Sequence, residues 1–266
     1  MLTRLMKYEL RATARLFIPL YIALIIMSAV NRIFPLIAKG PVYDSLFGNV
    51  TTFISMTVYV TLMIGIFVMT LIALIQRFYK NLLGNEGYLM FTLPVQSWKH
   101  ILNKLITAMM WIILSGIVAL ISIFIITPEN EMLLIFNNLP SLIKEIWNYF
   151  GAKTLLLGLE GIVILVLAIA SGVLVIYAAI SLGHLFNKHK LLASFGMYVV
   201  LGIINQIIMS VYAITLDKIL NFHDFRIISF SDTQVTVIFF LVYLIIITAG
   251  HFALTRYILN NKLNLE

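Results

Sequence analysis

TLLLGLEGIVILVLAIASGVLVIYAAISL, residues 154–182, carries one charged side chain, Glu160, in its whole length. A helix needs about 20 predominantly apolar residues to cross the hydrocarbon of a bilayer. A surface helix of a soluble domain would also show a polar face, which this run lacks. Five further stretches share its character, at 16–34, 50–74, 105–127, 191–215 and 235–254. None alternates apolar with polar at period two, so barrel strands find no support. The first has a basic flank like a signal peptide, but it is long and lacks an Ala-x-Ala cleavage site, so it reads as a retained span. The expectation is an all-α polytopic membrane protein with six transmembrane helices. No linker rich in Gly, Ser or Pro divides the chain and no repeat relates its halves, which makes residues 1–266 a single transmembrane domain.

Composition says the same. Of 266 residues 62% are apolar and 11% charged, and the mean hydropathy is +1.04. Soluble domains run at about 25% charged, so water cannot be the solvent for this surface. A disordered tail, a nucleic-acid module and a disulfide scaffold are excluded together. With no cysteine, thiolate catalysis, iron–sulfur ligation and Cys-based zinc sites are excluded too. The net charge of +7 belongs to membrane topology rather than to DNA. Twelve Lys and Arg fall on the side of the termini and six on the other, while acids favour the second side by seven to three. The positive-inside rule then puts both termini in the cytoplasm.

Two segments on the termini's side are apolar enough to need a partner. Arg4, Lys7, Arg11 and Arg15 form one basic stripe, with Leu2, Leu5, Met6 and Leu10 opposite. That pattern predicts an amino-terminal interfacial helix over 2–15. Glu9 lies in the apolar face, where a buried free carboxylate is costly. It either reaches water at the edge or pairs with a cation on a neighbour, such as Lys80 or a partner protein. The second segment is RFYKNLLGNEGYLMFTLPVQ, residues 77–96. Asn85 can cap a short helix, Glu86 suits its dipole, and Pro94 stops it near Leu93. Ser97 is the expected N-cap of the helix entering span three. The exposed Tyr88, Leu89, Met90, Phe91 and Leu93 must dock on the protein's own helix ends, on headgroups or on another protein.

On the opposite side, Leu139, Leu142, Ile143, Ile146, Trp147 and Phe150 recur at helical spacing. They predict an amphipathic helix along the outer interface, as a structural cover or a lid. Inside the spans, Glu160 is the only ionisable residue away from an end. It is a candidate for the transport pathway by position, or for ion pairing near the outer headgroups, for instance with Lys153. Gly158, Gly161, Ala168 and Gly172 make a small-residue stripe suited to close helix packing, as a seam within the chain or a subunit interface. Asn205, Gln206 and Ser210 in span five read as interhelical glue or substrate contacts. Thr57 and Thr61 in span two satisfy themselves on the backbone in the simplest reading.

Catalytic signatures are missing. There is no phosphate loop, no H-E-x-x-H and no G-x-S-x-G elbow, and no span holds paired carboxylates. His184 and His189 sit beside Lys188 and Lys190 in a short loop, without metal-ligand spacing. The expectation is no enzyme, no metal and no cofactor bound by this chain.

The run 77–105, with its G-x-E-G-Y-L-x-F-T-L-P core, resembles the first cytoplasmic loop of export-type ATP-binding-cassette transporter permeases of Gram-positive bacteria. MKYELRATAR (6–15) and TRYILNNKLNLE (255–266) resemble the same family. The resemblance implies a permease of the bacterial cell membrane that works with a second permease copy, identical or related, and with cytoplasmic ATPase subunits that bind ATP and Mg. It further implies that Glu86, Gly87, Tyr88, Leu89, Phe91, Thr92, Leu93 and Pro94 form the coupling helix that contacts the ATPase. Glu9 then becomes a candidate ion pair to a partner. In the family a cavity at the permease dimer interface is lined by spans two and five, which would put Thr57, Thr61, Asn205 and Gln206 at its wall. Glu160 gains no support from the resemblance. Rival readings are a secondary transporter, which needs more intramembrane carboxylates or broken helices in related halves, and a sensory membrane subunit of an ATPase complex. An intramembrane enzyme lacks convergent residues.

Overall fold

A computed structural model describes residues 2–37, 46–84, 96–186, 188–220 and 230–262. Among them there are seven α-helices and no strand: α1 (Leu2–Ile37), α2 (Leu46–Phe78), α3 (Ser97–Ile126), α4 (Glu129–Phe150), α5 (Lys153–Gly183), α6 (Lys190–Leu220) and α7 (Phe230–Asn261). Six are long and apolar enough to cross a membrane, and α4 is the exception. The described residues are all-helical and multi-pass in character, and each expected span falls on one of these helices, the third (105–127) running one residue past the end of α3.

The helix ends depart from expectation in instructive ways. The segment 2–15 is not a separate element: α1 runs unbroken past Arg15 and through Pro19. Ala12, Thr13 and Ala14 contain no breaker, and Thr13 bonds its hydroxyl back to the carbonyl of Glu9 at 2.8 Å. Ser97 is the first helical residue of α3 rather than its cap. Gln96 precedes it, its backbone carbonyl accepting from the Lys99 N–H at 2.9 Å and its side-chain Oε1 from Trp98 Nε1 at 2.6 Å.

The helices divide into two compact units, Met1–Leu74 with Ile106–Glu145 and Ile75–Leu105 with Ile146–Glu266. In the first, Leu24, Tyr59 and Ile66 form an apolar core with Leu20, Met63 and Val118 around it. Hydroxyls tie the helices across that core. Ser115 of α3 bonds Tyr21 of α1 at 2.8 Å and Thr70 of α2 at 3.0 Å. Trp111 donates to Thr13 at 2.8 Å and stacks on Phe17 at 4.5 Å. Tyr59 meets Ser122 at 3.0 Å, and Ser55 donates to Asn31 at 2.8 Å. In lipid such bonds contribute about 0.6 kcal/mol each, and leaving the groups unpaired there costs more.

In the second unit α5 packs along both α6 and α7. Its buried side is Ala170, Val173, Leu174, Tyr177, Ala178, Ala179 and Gly183, with Leu201 of α6 in the same cluster. The stripe of Gly158, Gly161, Ala168 and Gly172 is exposed and takes no part in that packing. A Cβ built at Gly158, Gly161 or Gly172 would meet nothing. The close approach is at Gly183, where a Cβ would overlap the Cα, N and Oγ of Ser194 at the start of α6. Backbone cannot yield there cheaply. Gly183→Ala should therefore lower the unfolding temperature of detergent-purified protein by several degrees, while Gly172→Ala leaves it unchanged or raises it. Equal melting of the two variants would remove Gly183 as the packing constraint.

Candidate functional site

The second unit contains both arms of the segment that the sequence singles out between α2 and α3. Residues 85–95, and with them Glu86, Gly87, Tyr88, Leu89, Phe91, Thr92, Leu93 and Pro94, lie outside the described residues. Their mounting does not. At the end of α2 the helix widens into one π turn, Tyr79–Leu83, closed by Gly84 N–H donating to the Tyr79 carbonyl at 2.9 Å. Widened turns of this kind are often found at functional sites. Leu82 and Leu83 are buried by it. A Cβ at Gly84 would stand 3.0 Å from the Lys80 carbonyl oxygen, so a larger residue there would press on the turn.

Tyr177 of α5 holds both arms. Its ring stacks on Phe78 at 4.0 Å and 11°, immediately before the π turn. Its hydroxyl donates to the Lys104 carbonyl in the first turns of α3 at 3.2 Å. Tyr177 and Phe78 are both essentially inaccessible to solvent. Below them His100, Asn103 and Lys104 are buried on α3. The arrangement fixes where residues 84 and 96 emerge, whatever the intervening segment does. No sequence reading picked out Tyr177, although a signal was present: it is the only aromatic residue between 154 and 182.

Next to this clamp, His184 ends α5. Its ring meets the edge of Tyr79 at 6.1 Å, and its Nδ1 is buried without a hydrogen-bond partner. Burial, and then the charge of Lys190, hold the imidazole below the ordinary histidine range. His189 takes a left-handed conformation, φ 55°, at the turn into α6. No group of three or more metal-ligating side chains forms among the described residues.

The remaining candidates fall in both units, Glu9, Thr57 and Thr61 in the first and Glu160, Asn205 and Gln206 in the second. Glu9 is 9% exposed within the helices around it. Thr57 and Thr61 are exposed and bond back to the carbonyls of Phe53 and Thr57 at 2.8 Å. Gln206 is exposed and Asn205 half-buried; the Asn205 carbonyl accepts from Tyr243 at 3.4 Å. Glu160 accepts from Gln234 Nε2 of α7 at 3.0 Å. Lys153, the sequence's suggested partner for it, lies over the Phe230 ring at 4.4 Å instead. A neutral amide near the start of α7 thus receives the carboxylate, close to the end of the helix. No known protein family, curated protein or solved structure matches this chain.

Two measurements probe this base. Tyr177→Phe keeps the ring stack and loses one bond, for an expected cost of about 1 kcal/mol; Tyr177→Leu loses the stack as well and should cost about 1 kcal/mol more. Thermal unfolding of the purified chain should rank wild type above Phe above Leu. For His184, a depressed folded pKa means that the unfolded state binds its proton first as pH falls. Stability is then full above the ordinary histidine value, about 6.5, and declines as pH drops through it toward the lower folded value. His184→Gln should flatten the unfolding temperature between neutral and mildly acidic pH; an unchanged slope would assign the pH dependence elsewhere.

Proposed function

We propose that this chain is the membrane-spanning permease subunit of an ATP-binding-cassette exporter in a bacterial cell membrane, with both termini cytoplasmic and nucleotide hydrolysis in a separate subunit. One observation carries the reading: the run G-x-E-G-Y-L-x-F-T-L-P, greasy yet placed outside the spans. A docking surface for another protein accounts for such side chains. The clamp of Tyr177 on Phe78 and Lys104 supports it, because a helix that transmits force needs rigid arms. The absence of a phosphate loop from the sequence fits a partner that supplies one.

In this reading ATP and Mg bind the partner ATPase and close its dimer. Glu86, Gly87, Tyr88, Leu89, Phe91, Thr92, Leu93 and Pro94 move with the groove that holds them. The π turn and the first turns of α3 pass that displacement to α5 through Tyr177. Nucleotide shifts the permease between states only insofar as it binds one of them better. A second permease copy completes the pathway. The exposed small-residue stripe Gly158, Gly161, Ala168 and Gly172 supports that second copy, since such a surface lets another helix approach closely.

The reading is tested by purifying tagged protein from its native membranes in mild detergent. A stoichiometric subunit bearing a phosphate loop is expected, and the double variant Tyr88→Ala, Phe91→Ala should lose it while still inserting in the membrane. Co-purification and stimulated ATPase activity that survive the double variant would overturn the coupling assignment. A chain that purifies alone, even after crosslinking, would overturn the exporter itself.

A further inference from the structure

Helix α4 is 22 residues long and none of its residues is buried. Leu139, Leu142, Ile143, Ile146 and Trp147 line one side and are 44–57% exposed. Asn137, Asn138, Ser141, Lys144 and Asn148 line the other and are exposed as well. It is not among the helices that can cross a membrane.

The contacts of α4 gather at its two ends. At the start, Glu129 pairs with Arg32 of α1 at 3.3 Å, and Met132 N–H donates to the Pro128 carbonyl at 2.9 Å. At the finish, Thr154 donates to the Ile146 carbonyl at 3.4 Å, Phe150 meets the Phe230 ring at 5.9 Å, and Gly151 turns the chain with φ 59°. The connectors to α3 and α5 are Thr127–Pro128 and Gly151–Ala152, which reach about 7 Å each when extended. A rod about 33 Å long, pinned that closely at both ends to helices entering lipid, cannot lift its apolar side into water.

We propose that α4 is a lipid-surface helix, its apolar side set into the acyl chains of the leaflet that α3 and α5 enter and its Asn-rich side in the headgroup layer. The charges of α4 are Glu129 and Glu131 in its first turn and the adjacent Lys144 and Glu145, a net charge of −2, and none lies on the apolar side formed by Leu139, Leu142, Ile143, Ile146 and Trp147. Attachment is therefore hydrophobic and does not require anionic lipid. The inference rests on the spanning helices alone and is independent of the exporter reading.

The test exploits a chain without cysteine. Full-length protein carrying Ile143→Cys, Ile146→Cys, Asn137→Cys or Asn148→Cys is spin-labelled and reconstituted into phosphatidylcholine vesicles, with and without phosphatidylglycerol. Accessibility to oxygen, which concentrates in lipid, is compared with accessibility to a water-soluble nickel chelate. Labels at 143 and 146 should show a several-fold higher oxygen-to-nickel ratio than those at 137 and 148, equally in both lipid compositions. A high nickel accessibility at 143 and 146 would overturn the proposal by placing the face in water. Shielding of those labels from both reagents would overturn it by placing the face against protein, a second copy or a partner. A ratio that depends on phosphatidylglycerol would overturn the hydrophobic mode of attachment.

Discussion

In hydrocarbon a polar group has no water to fall back on, and the packing of this chain follows from that constraint. Helix α3 displays it most fully. His100, Asn103, Lys104, Thr107, Trp111, Ser115 and Ser122 recur on one face and all are buried. A helix in a soluble protein hides its apolar face; α3 hides its polar one and leaves Ile113, Ile117, Leu120 and Phe124 outside. The partners taken by that face, Thr13 for Trp111, Tyr21 and Thr70 for Ser115 and Tyr59 for Ser122, define the packing of the first unit.

The same rule explains the second unit differently. Helix α5 has few polar groups to satisfy, so small residues and one tyrosine organise it. Ala178, Ala179 and Gly183 let α6 come close, and Tyr177 spends its ring on Phe78 and its hydroxyl on Lys104. A single buried aromatic thereby fixes two chain segments, at Phe78 and at Lys104, that are 26 residues apart in sequence. The π turn after Phe78 adds to the fixation, because it redirects the chain while keeping Leu82 and Leu83 buried. If residues 85–95 meet an ATPase, this is the part that must not yield.

The polar residues of the spans that stand out in the sequence take ordinary partners. Thr57 and Thr61 are absorbed by their own helix, as expected of threonines four residues apart. Glu160 meets an amide rather than a cation, which leaves Lys153 to an aromatic face. The residues doing most of the joining, Tyr21, Tyr59, Trp111, Ser115 and Tyr177, were passed over because each is ordinary alone. Trp111, Ser115 and Ser122 share one helical face, a pattern visible in hindsight at spacings of four and seven.

By itself the sequence determined that the chain is helical and that six stretches suit a bilayer, because hydropathy over 20 residues is a local sum that no neighbour alters. It also marked residues 77–96 as the segment needing a partner, since apolar side chains outside a span demand one. Tertiary structure decided the rest. Which face of α5 is buried could not be read from glycine spacing: Gly158, Gly161 and Gly172 are free for lipid or a partner, whereas Gly183 is the contact. Whether α1 breaks at Arg15 depended on what its polar residues meet, and Glu9 and Thr13 are buried within one continuous helix. Faces and partners are relations between helices, and apolarity in lipid favours none of them. Only the placement of hydroxyls, rings and missing Cβ atoms selects one.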